Sequence, residues 1–309
     1  MADLILHHYK TSPFAEKIRR VLAFKQLAWQ SVNVPPIAPK PDVEALTGGY
    51  RKTPILQIGA DIYCDTALIC DVLEHRQPTP SLSPATHKGL ARVLAQWADT
   101  TLFTTAMAYN FQPKGREQMF GAVPPAFVQA FADDRAKMVG SAPCLRVGDA
   151  TTAYKSYLRR LATMLEDQPF LVGHAACLAD FAAYAPLWFT RVNVSNIAGI
   201  LDATPSVLAW MDRMAALEQG EAGRMASVDA IAVAAAAMPV ALADEVFQDD
   251  HGIPLGSQVR IHAESFGLEV TEGELVAATR MHMTLRRVDA RAGTVHVHFP
   301  RIGYVLQAV

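Results

Sequence analysis

The stretch TPILQIGADIYCDTALICDVLE, Thr53 to Glu74, decides the reading of the chain. Pro54 stands where a strand opens, a position at which a missing amide donor costs the ladder nothing. Ile55-Leu56-Gln57-Ile58 and Ile62-Tyr63-Cys64 are apolar runs separated by Gly59-Ala60-Asp61, the pattern of a β-hairpin. From Asp65 the spacing turns helical, with Leu68, Ile69, Val72 and Leu73 on the buried side. A hairpin that runs straight into a helix closes an α/β unit.

Upstream, Leu4-Ile5-Leu6 is a short apolar strand, and Phe14, Ile18, Val21 and Leu22 share one face of a helix. A second strand lies near Ser31 to Val34. Strand, helix, strand requires a crossover and therefore a parallel pair. The loop PPIAPKP, Pro35 to Pro41, leads to a short helix at Asp42 to Leu46. The order β-α-β-α-β-β-α predicts an α/β domain over residues 1–82, with helices on both faces of a small mixed sheet.

Downstream, Pro78, Pro80 and Pro84 punctuate a linker. Long helical runs such as Lys88 to Tyr109 and Thr151 to Asp167 predict an all-α domain over residues 85–238. The apolar run Ala230 to Ala243 is interrupted by Pro239 and too short to span a bilayer, so it reads as a buried helix ending near the proline. Over residues 240–309 the texture alternates. Val259 and Ile261 share a face; Met281, Met283 and Leu285 oppose His282, Thr284 and Arg286; Val295, Val297 and Phe299 oppose His296 and His298. Glycines mark the turns. Roughly five short strands predict a small antiparallel barrel.

The chain has 309 residues, 51% hydrophobic and 19% charged, with a net charge of −2. That balance suits a globular protein and gives no electrostatic reason to expect nucleic acid or an anionic membrane. Cys64, Cys70, Cys144 and Cys177 are scattered, without a C-x-x-C pair, as in a reduced cytoplasmic protein. The N-terminus lacks a basic region followed by a long apolar one, so no secretion signal is expected.

Three elements carry chemistry. Ser12 before Pro13 is the N-cap of the first helix. A capping hydroxyl accepts from a backbone N–H and still has a proton to donate, and the helix terminus favours an anion beside it. Thr53-Pro54 is either an ordinary trans opening of a strand or a cis bond that turns the Thr53 backbone outward toward an extended peptide. Asp65-Thr66 is either a simple helix cap or an amino-acid site. In the second reading Thr66 and the helix N–H groups hold an α-carboxylate and Asp65 an α-amino group.

With SPFAEKIRRVL (Ser12 to Leu22), the hairpin stretch above and FLVGHAACLADFAAYAPLWF (Phe170 to Phe189), the chain resembles the glutathione transferase superfamily to about residue 220. The first stretch is similar to the omega, tau and zeta classes. The resemblance implies a thioredoxin-like domain followed by an all-helical domain, glutathione as co-substrate, a homodimer and a cytoplasmic role in detoxification. It places Ser12 against the glutathione sulfur; Tyr9, at the end of the first strand, is a second candidate hydroxyl by position, or simply a strand-end aromatic. It also implies Lys40 on the glycine carboxylate, the Thr53 backbone on the cysteinyl moiety with Pro54 cis, and Asp65 and Thr66 on the glutamyl end. Asp65-Thr66 replaces the more usual Glu-Ser pair. The family's Ser/Thr-x-x-Asp capping box reads Cys177-Leu178-Ala179-Asp180, with sulfur a weak acceptor.

A free thiol is only a few per cent ionised at neutral pH, and lowering its pKa by two units takes about 2.7 kcal/mol. One hydroxyl and a helix terminus suffice for that. Serine forms no mixed disulfide with glutathione, so conjugation, isomerisation or peroxide reduction is expected rather than thiol transfer. A small hydrophobic electrophile would sit between the domains, where Trp97, Phe103, Met107, Tyr109 and Phe111 are available, although an aromatic stripe at helical spacing is more often core. The alternative is a non-catalytic glutathione-fold binding or regulatory protein whose C-terminal barrel mediates interaction. No metal is expected. His296 and His298, with His282 or His262, lack an acid or cysteine partner placed by local sequence. Arg286, Arg287 and Arg301 read as scattered surface cations rather than an anion site.

Overall fold

The computed structural model describes residues 3–84, 86–139, 145–217, 222–242, 246–248 and 250–309. Cys144 and the far end of the Ala230 to Ala243 run lie outside the described residues. The N-terminal order is as expected: β1 (Ile5–His8), α1 (Pro13–Phe24), β2 (Trp29–Asn33), α2 (Pro41–Thr47), β3 (Ile55–Ile58), β4 (Asp61–Cys64) and α3 (Thr66–Arg76). β1 pairs parallel with β2, and β3 pairs antiparallel with both β1 and β4. This is the thioredoxin-like unit.

The helical domain contains α4 (Lys88–Trp97), α5 (Phe103–Asn110), α6 (Pro113–Phe120), α7 (Pro125–Val139), α8 (Val147–Met164), α9 (Leu178–Trp188) and α10 (Pro205–Ala215). The expected long helix from Lys88 is present, but a π turn over Ala98–Leu102 divides it into α4 and α5. Asp180 makes the reciprocal half of the capping box by accepting from Cys177 N at 3.0 Å. Its other oxygen accepts from Leu171 N and Trp210 Nε1, both at 2.9 Å, so one fully buried carboxylate ties α9 to α10 and to the loop before it.

The helical segment does not run unbroken to 238. After α10 the chain returns as β5 (Ala222–Arg224), parallel to β2, and α11 (Ser227–Ala236) lies on the sheet face shared with α2. α11 stops three residues short of Pro239, as expected. It buries Ala230, Ile231 and Ala234. Its Ala230 carbonyl accepts from Gln57 Nε2 at 2.8 Å, and Gln57 Oε1 bonds His7 Nε2 at 2.8 Å. Burial holds the His7 imidazole down at about 4, so it is neutral in this network.

The five C-terminal strands are β6 (Gln258–Ala263), β7 (Thr271–Ala278), β8 (His282–Asp289), β9 (Gly293–Pro300) and β10 (Tyr304–Ala308). They pair antiparallel in the order β10-β6-β7-β8-β9. Only residues 301–303 join β9 to β10, although those strands occupy opposite margins of the group. So short a link spans at most about 14 Å, which requires the strands to curl into a barrel-like form. The barrel is not detached. β9 runs parallel to β4, with Asp61 opposite His296 and Tyr63 opposite His298, so one ten-stranded ladder runs through the molecule.

Strand alternation divides the core in two. Leu4, Leu6 and Leu56 face α1, α3 and the helical domain. Ile5, Ile55, Ile62 and Cys64 face α2, α11 and the C-terminal strands. The second core requires close backbone approach at Gly48 and Gly49. Gly48 has φ 80°, and a Cβ on Gly49 would lie 2.1 Å from the Val270 carbonyl oxygen. Arg287 is not a surface cation, since it reaches the Ala45 carbonyl at 3.4 Å. Arg286 pairs with Glu274 at 2.5 Å, and Arg301 donates to the Thr279 and Gln248 carbonyls.

Candidate functional site

Strand register brings the three chemistry-bearing elements to the same end of the central strands β1, β3 and β4. His7 near the end of β1 faces Ile55 at the start of β3, and Ile55 faces Cys64 at the end of β4. The next residues on each path are Tyr9 to Ser12, Thr53-Pro54, and Asp65-Thr66. The Thr53–Pro54 bond is cis.

Ser12 caps α1. Its Oγ accepts from Ala15 N at 3.2 Å, and the residue is only 2% exposed. Its own amide donates to the Tyr9 carbonyl at 3.2 Å, which folds the β1–α1 connection back on itself. Pro13 occupies the first helical turn, where the absent N–H costs nothing. The Ser12 hydroxyl proton is therefore not used by the cap.

Asp65 caps α3, with Oδ1 accepting from Ala67 N at 2.9 Å. It holds φ 77°, a conformation a carboxylate-bearing residue tolerates better than most. Its amide donates to the Tyr50 hydroxyl at 3.1 Å, and its Oδ2 accepts from the Tyr304 hydroxyl at 3.0 Å. Desolvation, reinforced by Asp65, pushes both tyrosines well above the usual phenol range, so both keep their protons, Tyr304 as donor to Asp65 and Tyr50 as acceptor from the Asp65 amide.

Thr66 Oγ1 accepts from Lys17 Nζ at 3.0 Å, and the same ammonium pairs with Asp99 Oδ2 at 2.5 Å. Lys17 is fully buried. Burial is the largest single influence and opposes its charge, but Asp99, Cys70 and Asp65 together hold the pKa above the usual lysine range. Burial likewise pushes Asp99 up against the pull of Lys17, and Asp99 Oδ1 is buried without a hydrogen-bond partner. This ion pair joins α1, α3 and the π turn of the helical domain directly beneath the site.

Lys40 is 3% exposed and donates to the Arg51 carbonyl at 3.1 Å, with its ammonium 5.9 Å from the centre of the Tyr9 ring. Burial, then the nearby Arg135 and Arg51 cations, lowers its pKa to about 8. Arg51 in turn pairs with Asp134 of α7 at 2.8 Å and with Glu269 of the β6–β7 connection. The helical domain and the C-terminal strands thus both grip the segment just before Thr53.

Most of the aromatic side chains available for an electrophile are core, the more frequent role of such a stripe. The Tyr109 hydroxyl donates to the Ile197 carbonyl at 2.7 Å, Trp97 sets an edge against Tyr157, and Met107 packs on the helical core. Phe111 joins Phe120, Phe131 and Phe189. Phe103 differs, because it packs on Phe14 with ring centres 4.4 Å apart, two residues from Ser12. A surface depression of about 550 Å³ between the linker and residues 168–177 touches none of these groups.

The sequence reading missed Lys17, Asp99, Tyr50 and Tyr304. Lys17 carried a signal, since it sits on the Phe14–Val21 stripe at helical spacing yet is charged. Tyr304 carried none, because its contact with Asp65 spans 239 residues.

Family models for the glutathione S-transferase N-terminal domain and C-terminal domain match residues 6–81 and 147–218. A solved structure described as a GST-like protein from Pseudomonas syringae shares 39% identity at TM-score 0.84, with both chains covered completely, C-terminal strands included. A glutathione S-transferase from Rhodospirillum rubrum F11 (22% identity, TM-score 0.52) covers 69% of this chain and 88% of its own. The β-etherase LigF from Sphingobium sp. strain SYK-6 (19%, 0.52) covers 69% and 95%. These two show the fold alone. No curated protein sequence matches the chain. Family models at both domains and a full-length relative of the same architecture lead to one conclusion: the chain belongs to the glutathione S-transferase superfamily.

Proposed function

We propose that the chain binds glutathione along the edge formed by Ser12, Thr53-Pro54 and Asp65-Thr66 and activates its thiolate for attack on a small hydrophobic electrophile. The observation that carries this reading is the Ser12 hydroxyl, buried at the α1 N-terminus with its proton uncommitted by the cap. The thiol loses its proton to solvent. The resulting thiolate accepts from Ser12 and lies in the positive field of α1. It then forms a carbon–sulfur bond as the electrophile's leaving group departs or its π bond opens.

In this reading the Thr53 backbone pairs with the cysteinyl unit. Thr66 and the α3 amides hold the glutamyl carboxylate, and Asp65 holds the glutamyl ammonium. Lys40 holds the glycine carboxylate. Phe14 and Phe103 supply the apolar wall for the electrophile. We also infer a cytoplasmic homodimer. Cys64, Cys70 and Cys177 are unpaired and buried, which suits a reducing compartment, and Leu90 and Val93 on α4 are 53% and 68% exposed, an apolar face available to a second copy. Among the described residues no helix is long and apolar enough to cross a membrane.

Calorimetric titration with glutathione, paired with ultraviolet absorbance of the thiolate and turnover of a chloronitroarene, tests the proposal. Binding with a thiolate band at neutral pH that Ser12→Ala abolishes is the expected result. Absence of glutathione binding to the wild-type chain overturns it, and binding without a thiolate band or turnover assigns the chain to a non-catalytic role.

A further inference from the structure

A second cluster of polar groups lies at the opposite end of β4 from Asp65. The β4–β9 register sets Asp61 opposite His296 and Tyr63 opposite His298. His298 Nε2 donates to Asp61 Oδ1 at 2.9 Å, across 237 residues of sequence. His296 Nδ1 lies 3.8 Å from the same oxygen, too far for a hydrogen bond, and it is buried with no hydrogen-bond partner. One donor atom from each of the three residues lies within 4.8 Å of the others.

An orphaned imidazole nitrogen in a buried position carries a cost that the fold has not relieved with a protein partner. Its direction is informative, because it faces a carboxylate oxygen already shared with a second imidazole. Donor atoms around a tetrahedral zinc ion stand about 3.4 Å apart, and the 2.9 and 3.8 Å separations bracket that value. Two imidazoles and one carboxylate are a donor set that suits zinc and similar divalent ions.

We propose that Asp61, His296 and His298 bind a single divalent cation of the zinc type, fastening the C-terminal strands to the thioredoxin-like sheet. The surrounding shell is already built. Thr284 Oγ1 lies 2.9 Å from His298 Nδ1, and a hydroxyl serves that nitrogen as donor or acceptor. The neutral ring can therefore take the other tautomer, its single proton on Nδ1 donated to Thr284 and its Nε2 lone pair free for the metal. Tyr63 stacks on the His298 ring, with centres 4.5 Å apart and 12° between planes, and fixes its orientation. The second oxygen of Asp61 accepts from Val240 N at 2.9 Å, which holds the carboxylate rotamer. Three protein ligands leave one coordination position for water. Arg286, whose charge acts on His296, is turned to Glu274 at 2.5 Å and so partly neutralised.

The site joins two strands whose connection the sequence does not enforce, so bound metal stabilises the folded chain by mass action. The test uses chelator-treated full-length protein, with Zn²⁺ alone measured by equilibrium dialysis and Co²⁺ as a spectroscopic probe. The expected result is one zinc per chain, a tetrahedral cobalt spectrum, and a melting temperature several degrees higher with zinc. His296→Ala should weaken zinc binding at least tenfold and abolish the zinc-dependent rise in melting temperature, whatever packing the largely buried ring supplies to the metal-free fold. Asp61→Asn gives the second check, with metal-free circular dichroism confirming that it folds. Absence of stoichiometric binding in the wild type overturns the proposal, and so does binding that His296→Ala leaves intact.

Discussion

The Tyr304 hydroxyl donates to Asp65 Oδ2 at 3.0 Å, joining the last strand of the chain to the cap of α3. The carboxylate that would receive the glutamyl ammonium is therefore held in place by the C-terminal barrel. Tyr304→Phe removes the constraint while keeping the ring that packs on Tyr50 and Phe299. Loss of one hydrogen bond to a charged group is worth about 1.5 kcal/mol. The expected outcome in steady-state kinetics is a rise of roughly tenfold in KM for glutathione with kcat little changed. An unchanged KM would show that the barrel does not position Asp65 for ligand.

Ser12→Ala separates capping from thiol activation. Loss of the cap costs about 1 kcal/mol of stability, visible in thermal melting. Loss of the donor moves the thiol of bound glutathione up by one to two units, so the acid limb of the kcat/KM profile shifts upward by about that amount. Ser12→Cys should instead acquire a mixed disulfide with glutathione, detectable by mass spectrometry, because a cysteine there carries the thiolate chemistry that serine lacks.

Lys40 predicts a pH dependence of binding. Its folded pKa is about 8, depressed from an ordinary 10.5 by burial and by Arg135 and Arg51 against Asp134 and Glu269. Between those values the unfolded chain holds the proton that the folded chain has lost, so this group makes stability rise with pH across that window. Ligand binding runs the other way. S-methylglutathione, which has no thiol to titrate, should bind more weakly as pH climbs through 8 and should take up a proton near that pH. Isothermal titration in buffers of different ionisation enthalpy measures both, and Lys40→Met should flatten the profile.

Asp180 is fully buried and accepts three hydrogen bonds, from Leu171 N, Cys177 N and Trp210 Nε1. Asp180→Ala leaves three buried donors unpaired, at about 3 kcal/mol or more, and chemical denaturation should register most of it. Cys177→Ser at the adjoining cap should shift the midpoint slightly the other way, since a hydroxyl accepts better than sulfur.

Removing residues after 242 tests whether residues 240–309 form a separable domain. The cut would expose Ile62 and Cys64 on one face of β4 and uncover its edge, since β9 supplies both the cover and the hydrogen bonds. The truncated chain should therefore aggregate or melt at lower temperature, as read by light scattering and calorimetry. A truncated chain that melts like the full protein would establish residues 240–309 as an independent domain.

Local pattern determined a great deal. Alternation in Ile55 to Cys64, helical spacing in α1 and α3, and glycine-punctuated strands after Gln258 are near-neighbour properties, so the thioredoxin-like order and a five-stranded curl were legible from residues alone. The caps at Ser12 and Asp65 were legible for the same reason, because a cap is a contact over two or three residues. Only the tertiary structure decided where the barrel's free edge goes, and with it the company each site residue keeps. The pairing of β9 with β4 brings His298 to Asp61, and the return of β10 brings Tyr304 to Asp65. Lys17 and Asp99 meet only when the two domains close over α1. Such partners are chosen by the burial of whole sheet faces, summed over many side chains far apart in sequence, and no local periodicity records that choice.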